Sequence, residues 1–151
     1  MNSYGLIDLH CDTLAEYWKY AHTGNPDTLD NPGRVLSLSN MPKDVHWAQF
    51  YAVFIPDEER GQAAIDYFEK NRANFYRQVE KFGDRVAPCR NADDMEKAWA
   101  AGKTAAFLTI ENGSALAGDL SRVHTLAEQG VRAITLTWNG ENELGSGHTT
   151  D

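Results

Sequence analysis

Hydrophobic and polar positions divide the chain into short apolar runs and longer stretches of mixed character. Four runs of mostly apolar residues recur along the sequence, at residues 5–10, 48–55, 104–110 and 131–137. Near-continuous apolar character over six to eight residues is typical of strands that are covered on both faces of a parallel sheet. The pattern therefore predicts four buried strands.

The stretches between these runs have the spacing of amphipathic helices. In residues 61–82 apolar side chains recur every three or four positions, and Gly83 follows as a stop signal. Residues 22–42 are rich in Gly, Pro, Asn and Asp, so they are predicted to be mostly loop. The other predicted elements are helices over residues 14–20, 92–101 and 119–129, and short extended segments over residues 34–38 and 85–88.

Strands that alternate with helices predict an α/β fold with right-handed crossovers and a parallel sheet. The 151 residues, 42% of them hydrophobic, are enough for one domain with its own core. A formal net charge of -8 argues against a nucleic-acid partner, which usually requires a basic face. No apolar run is long enough to span a bilayer, and no secretory leader is evident. With two isolated cysteines, these features predict a cytoplasmic protein.

Polar side chains follow three of the four predicted strands where functional residues of parallel α/β folds gather. His10 and Asp12 end the first strand, and they share a face because side chains alternate along a strand. Cys11 then points the other way and is predicted to pack in the core. Glu111 ends the third strand, and Asn139 follows the fourth as a candidate substrate contact.

An imidazole combined with carboxylates suits Zn, Mn, Fe or Co better than Ca or Mg. By itself the pair His10 and Asp12 is better explained by a capping aspartate beside a partly buried histidine. Glu111 at the end of another buried strand favours a metal site, since a carboxylate there can bridge two ions.

Several segments resemble the membrane (renal) dipeptidase family, peptidase family M19. The resemblance lies in residues 6–14 (LIDLHCDTL), 49–55 (QFYAVFI), 109–113 (TIENG) and 130–139 (GVRAITLTWN). It implies a (β/α)8 TIM-barrel-type metal-dependent hydrolase that holds two zinc ions. His10 and Asp12 would bind the first ion and Glu111, the catalytic carboxylate, would bridge both. A metal-bound hydroxide would then hydrolyse the peptide bond of a small dipeptide.

The chain departs from the family in sequence and in length. Several members have a histidine where this chain has Trp138, and some have a glycine pair and a histidine after the glutamate, where this chain has Asn112, Gly113 and Ser114. A complete barrel takes about 250 residues or more. Residues 1–151 therefore correspond to the N-terminal half, about the first four βα units, and we expect a truncated form with little activity alone.

Two other functions remain open at this point. One is another metal-dependent amidohydrolase on the same barrel, although many of those begin with H-x-H where this chain has H-x-D. The other is an inactive half-barrel that self-associates, because four βα units leave an exposed sheet edge. We expect a homo-oligomer in either case.

Overall fold

The computed structural model describes residues 4–14, 29–31 and 33–150. From residue 15 onward, the helix predicted over residues 14–20 lies outside the described residues. The same holds for much of the loop predicted over residues 22–42.

A parallel sheet forms the centre of the molecule and confirms the predicted α/β fold. Its strands are β1 (Gly5–Cys11), β2 (His46–Phe54), β3 (Val86–Pro88), β4 (Thr104–Glu111) and β5 (Val131–Ile134). β1 pairs with β2, and β2 pairs with β4. On its other side β4 pairs with β3 near its beginning and with β5 near its end. The carboxyl ends of β1, β2, β4 and β5 therefore lie at one edge of the sheet.

The helices agree closely with the sequence pattern. They are α1 (Gln62–Lys81), α2 (Ala92–Ala100), a 3-10 turn (Gly113–Leu116) and α3 (Arg122–Glu128). The Asn91 side chain caps α2 by accepting a hydrogen bond from the backbone N–H of Asp94 at 2.8 Å. The helix predicted over residues 119–129 begins later than expected. Asp119 instead folds into a turn in which its carboxylate accepts from the backbone N–H and hydroxyl of Ser121, at 2.9 and 2.7 Å.

Two apolar clusters cover opposite faces of the sheet. On one face Tyr51 and Leu108 pack with Phe68 and Phe75 of α1, and all four are nearly inaccessible to solvent. On the other face Phe107 packs with α2, in a smaller cluster near the beginnings of β2 and β4. Within the described residues, no helix is long and apolar enough to cross a membrane.

The prediction that the first strand is buried was wrong. β1 is an edge strand that pairs only with β2 among the described residues. Its apolar side chains are open to solvent, with Leu6, Ile7 and Leu9 exposed by 41, 50 and 68%. An apolar run in the sequence shows that a strand can be buried. It does not show whether other elements cover both faces of that strand.

Two predictions about short segments were also wrong. Residues 34–38 are not extended but form turns, in which the N–H of Arg34 donates to the carbonyl of Asn31 at 2.9 Å. The fourth predicted strand ends at Ile134 instead of residue 137. Beyond it, the carbonyl of Leu136 accepts from Gly113 N–H and from the Asn142 side chain, so it is not free to extend a ladder.

Candidate metal centre

Three side chains predicted from the sequence meet at the carboxyl edge of the sheet. His10 Nε2 lies 3.2 Å from Asp12 Oδ1 and 3.5 Å from Glu111 Oε2. One ligand atom from each residue lies within 4.8 Å of the others. Among the described residues these form the one group of three or more His, Cys, Asp or Glu side chains close enough to share an ion. The structure thus brings together residues that are about 100 positions apart in the chain.

A bulge in β1 orients the side chains of His10 and Asp12 towards the candidate metal centre. Asp8 pairs with Gln49 and Cys11 with Tyr51, so the step of three residues along β1 faces a step of two along β2. The extra residue reverses the alternation of side chains, as bulges near functional sites commonly do. Cys11 consequently faces the helices and is buried, as predicted, while His10 and Asp12 lie on the opposite, open face.

The three donors fit a divalent metal ion in chemistry and in spacing. Two ligand atoms that are each about 2.1 Å from zinc at the tetrahedral angle lie about 3.4 Å apart. The His10–Asp12 and His10–Glu111 separations of 3.2 and 3.5 Å bracket that value. One imidazole nitrogen with two carboxylates is a donor set that zinc and the neighbouring transition metals accept.

The electrostatics of Glu111 show why a cation would be favourable here. Burial raises the pKa of the Glu111 carboxyl, His10 opposes the rise, and the nearby carboxylate of Asp12 adds to it. The Glu111 side chain is only 19% exposed, whereas His10 and Asp12 are 44% and 62% exposed. A bound cation would offset both the burial of the Glu111 charge and its repulsion by Asp12.

A cavity of about 440 Å³ adjoins the cluster and is large enough for a small ligand. Its walls are the end of β1 and the turn that crosses it, formed by His10, Cys11, Asp12, Thr13, Gly33, Arg34, Val35 and Leu36. A slightly larger cavity of about 470 Å³ lies at the opposite end of the sheet, where it is lined by His46 and Thr104 at the beginnings of β2 and β4. Only the first cavity touches the candidate metal ligands.

The buried side chains of Asn112 and Asn142 and the half-buried Asp57 form a polar network next to Glu111, which we call the strand-end network. The Asn112 amide donates to the carbonyl of Ile55 at 2.9 Å and to Asp57 Oδ1 at 3.1 Å. Its oxygen accepts from the Asn142 amide at 2.9 Å. Asp57 follows the second predicted strand, but its place in an acidic run, residues 57–59, predicted a solvated side chain, and that prediction was wrong. Asn142 lies in a polar loop, where the sequence pattern did not distinguish it. The one available signal was Asn112, since asparagine tolerates a positive φ and here has φ 76°.

Asn139, the predicted substrate contact, lies in the loop after β5 and is half-buried. Its carbonyl accepts hydrogen bonds from the N–H and hydroxyl of Thr149, at 3.0 and 2.6 Å. Its side chain is not among the three that cluster, so its contact with substrate stays a prediction. Next to it, Trp138 packs edge-on against Phe54, with ring centroids 4.8 Å apart.

Comparisons with known proteins give one family match and several similar solved structures. The family model described as "Membrane dipeptidase (Peptidase family M19)" matches residues 1–151. A metallo peptidase from Rhodobacter sphaeroides, solved with a phosphinate mimic of the dipeptide L-Ala-D-Ala, is similar with a TM-score of 0.78 and 17% identity, over 93% of this chain and 47% of its own. Dipeptidase AC, a metallo peptidase of family M19, is similar with a TM-score of 0.76 and 19% identity, over 93% of this chain and 45% of its own.

An amidohydrolase from Pseudomonas aeruginosa is similar over a shorter stretch. Its TM-score is 0.61 and its identity 23%, and the match covers 72% of this chain and 31% of that one. The chain therefore spans between 31 and 47% of the length of these three solved structures. At such identities the likeness shows a shared fold.

Proposed function

The chain belongs to the membrane dipeptidase family, peptidase family M19, and from that premise we propose that it carries the N-terminal part of the active site of a zinc-dependent dipeptidase. Its sheet is part of the TIM-barrel-type fold of that family. The observation that carries the proposal is the convergence of His10, Asp12 and Glu111 within 4.8 Å at the carboxyl edge of the sheet. That edge is where TIM-barrel enzymes place their active sites.

His10 and Asp12 would hold the first of two zinc ions, and Glu111 would contribute its carboxylate to both. A bound metal lowers the pKa of water and polarises an amide carbonyl, which makes hydrolysis possible near neutral pH. The protein residues would hold the ions in place, and the cavity of about 440 Å³, which is lined by His10 and Asp12 but not by Glu111, is large enough for a small dipeptide. The half-buried position of Glu111 favours its role as the bridging ligand, because a buried carboxylate gains most from two neighbouring cations.

A zinc titration of the purified chain tests the ligand set. We expect Glu111→Gln and His10→Ala each to weaken zinc binding at least tenfold, because each removes a direct ligand. Glu96→Gln on the exposed side of α2 is the matched control, since it also removes one carboxylate but lies away from the cluster. Zinc affinity that is the same in the wild type, Glu111→Gln and the control would refute the role of Glu111.

The reaction itself requires a test of substrate class. The likeness to an amidohydrolase keeps a second candidate open, which is hydrolysis of another small amide on the same barrel. A panel of dipeptides and cyclic amides separates the two. We expect the turnover that the chain supports, although low, to depend on metal and to favour dipeptides, and turnover confined to the cyclic amides would reverse the assignment.

We also propose that the chain forms homo-oligomers through its open sheet edge. β1 lies at that edge with Leu6, Ile7 and Leu9 exposed, and exposed edges of this kind favour association. We also expect residues 1–151 by themselves to have little hydrolase activity. Cytoplasmic location stays a prediction, in keeping with two buried free cysteines.

A further inference from the structure

The strand-end network uses all of its amide hydrogens and both oxygens of Asp57 in hydrogen bonds. Asp57 Oδ1 accepts from Asn112, and its Oδ2 accepts from the backbone N–H of Gly140 at 2.8 Å. The second amide hydrogen of Asn142 binds the carbonyl of Leu136. Both amide hydrogens of Asn112 and both of Asn142 are thus occupied, so these two side chains act on the segments that they hold.

The network holds the end of β4, at Glu111 and Asn112. The carbonyl of Glu111 accepts from Ile55 N–H at 3.0 Å, and the carbonyl of Ile55 accepts from the Asn112 side chain at 2.9 Å. The N–H of Asn112 donates to the Thr135 hydroxyl at 2.9 Å. The end of β4 is thereby attached to the segments that follow β2 and β5.

The backbone at Asn112 is strained, which indicates that the network is needed to hold it. A non-glycine residue at φ 76° and ψ 105° lies outside the favoured regions and is retained only when its surroundings impose it. The residue is 1% exposed, so its polar groups depend entirely on these partners. The strain falls on the residue immediately after the proposed bridging ligand.

We propose that Asp57, Asn112 and Asn142 are positioning residues that fix the carboxylate of Glu111 for metal binding. The inference rests on the proposed function, because it assigns the network a role through a proposed ligand. The two buried amides of this network, Asn112 and Asn142, have all their amide hydrogens bonded, and such groups make the backbone around them rigid. Partners that orient metal ligands commonly change metal affinity by about 10- to 100-fold when they are removed.

The central test is zinc affinity in Asn112→Gly. Glycine adopts a positive φ without strain, so this change removes the side-chain hydrogen bonds while it permits the same turn. We expect zinc to bind at least tenfold more weakly, and the visible spectrum of the cobalt-substituted chain to change. Asn91→Ala is the matched control, because loss of the α2 cap also destabilises the fold but lies outside the network. A folded Asn112→Gly chain with the zinc affinity of the control would overturn the proposal.

A rescue experiment separates positioning from a general loss of stability. In Asn112→Asp the side chains at positions 57 and 112 are both carboxylates. They lie within hydrogen-bonding distance and therefore repel each other. Adding Asp57→Asn supplies an amide donor to the new carboxylate. We expect the double variant to recover at least part of the zinc affinity that Asn112→Asp loses. Equal affinity in the single and double variants would count against the network.

The outcome for the network is distinguishable from the outcome for the proposed function. If the wild-type chain binds no metal, the proposed function fails. The network is then judged in the metal-free chain by the ¹⁵N chemical shifts of the His10 ring, which lies 3.5 Å from the Glu111 carboxylate. A change in those shifts in Asn112→Gly but not in Asn91→Ala supports positioning, and unchanged shifts overturn it.

Discussion

Gly113 lies two residues after Glu111, at a position where the fold leaves no room for a side chain. An added Cβ would lie 2.5 Å from Leu144 Cδ1 and 2.9 Å from the carbonyl oxygen of Leu136. The first contact is with the end of a flexible side chain, which can move. The second is with backbone that is held by Gly113 N–H at 3.2 Å and by the Asn142 amide at 2.6 Å.

Gly113→Ala is therefore expected to destabilise the fold by about 2 kcal/mol, within the range of about 1–3 kcal/mol for overpacking a well-packed site. Urea unfolding followed by circular dichroism measures the loss. With a slope of about 2 kcal/mol/M, the midpoint should fall by about 1 M.

Gly145→Ala is the control for this substitution. An added Cβ at position 145 would meet only Thr137 Cγ2, at an ordinary 4.0 Å, so we expect a change of no more than about 0.5 kcal/mol. Equal losses in the two variants, or a loss below about 0.5 kcal/mol for Gly113→Ala, would show that the turn after Glu111 is not packed as described.

Three further predictions concern acid stability, thiol chemistry and association. The hydrogen bond from Arg85, 2.6 Å long, lowers the pKa of Asp30 in the fold. The pair therefore stabilises the protein above the unfolded pKa and loses this effect as the pH falls through the folded pKa. Asp30→Asn should cost at most about 1 kcal/mol at pH 7 and less at acidic pH, by urea unfolding, and a cost that does not change with pH would exclude this ion pair as the cause. Burial raises the pKa values of Cys11 and Cys89 to about 11. A thiol reagent at pH 8 should therefore react slowly with the folded chain and fast with the chain unfolded in urea. Fast labelling of the folded chain would contradict the burial of the two thiols. Leu9→Lys adds a charge to the open strand and should shift the chain towards monomer in analytical ultracentrifugation, and unchanged association would place the interface elsewhere.

The sequence predicted most of the helices and strands because their periods reflect burial. The apolar period of α1 is a local signal and was confirmed, and Asn91, which caps α2, is a local feature of the same kind. The exposure of Leu9 could not be predicted in this way, because it depends on which segments pack against β1 in three dimensions.

The candidate ligands were predictable for a similar reason. His10, Asp12 and Glu111 all end strands, and parallel strands bring their carboxyl ends to one edge. The bulge between Asp8 and Cys11 left no mark in the sequence, since it depends on pairing with β2. Asp57 was equally hidden, because its importance comes from contacts with residues 55 and 83 positions further along the chain.

We expect His10, Asp12 and Glu111 to bind one metal ion together. Crystals of the chain grown with zinc and measured at the zinc absorption edge test it most directly. The account predicts an anomalous peak about 2.0–2.2 Å from His10 Nε2 and from carboxylate oxygens of Asp12 and Glu111. The absence of a peak between these three side chains, with zinc bound elsewhere on the chain, would contradict it.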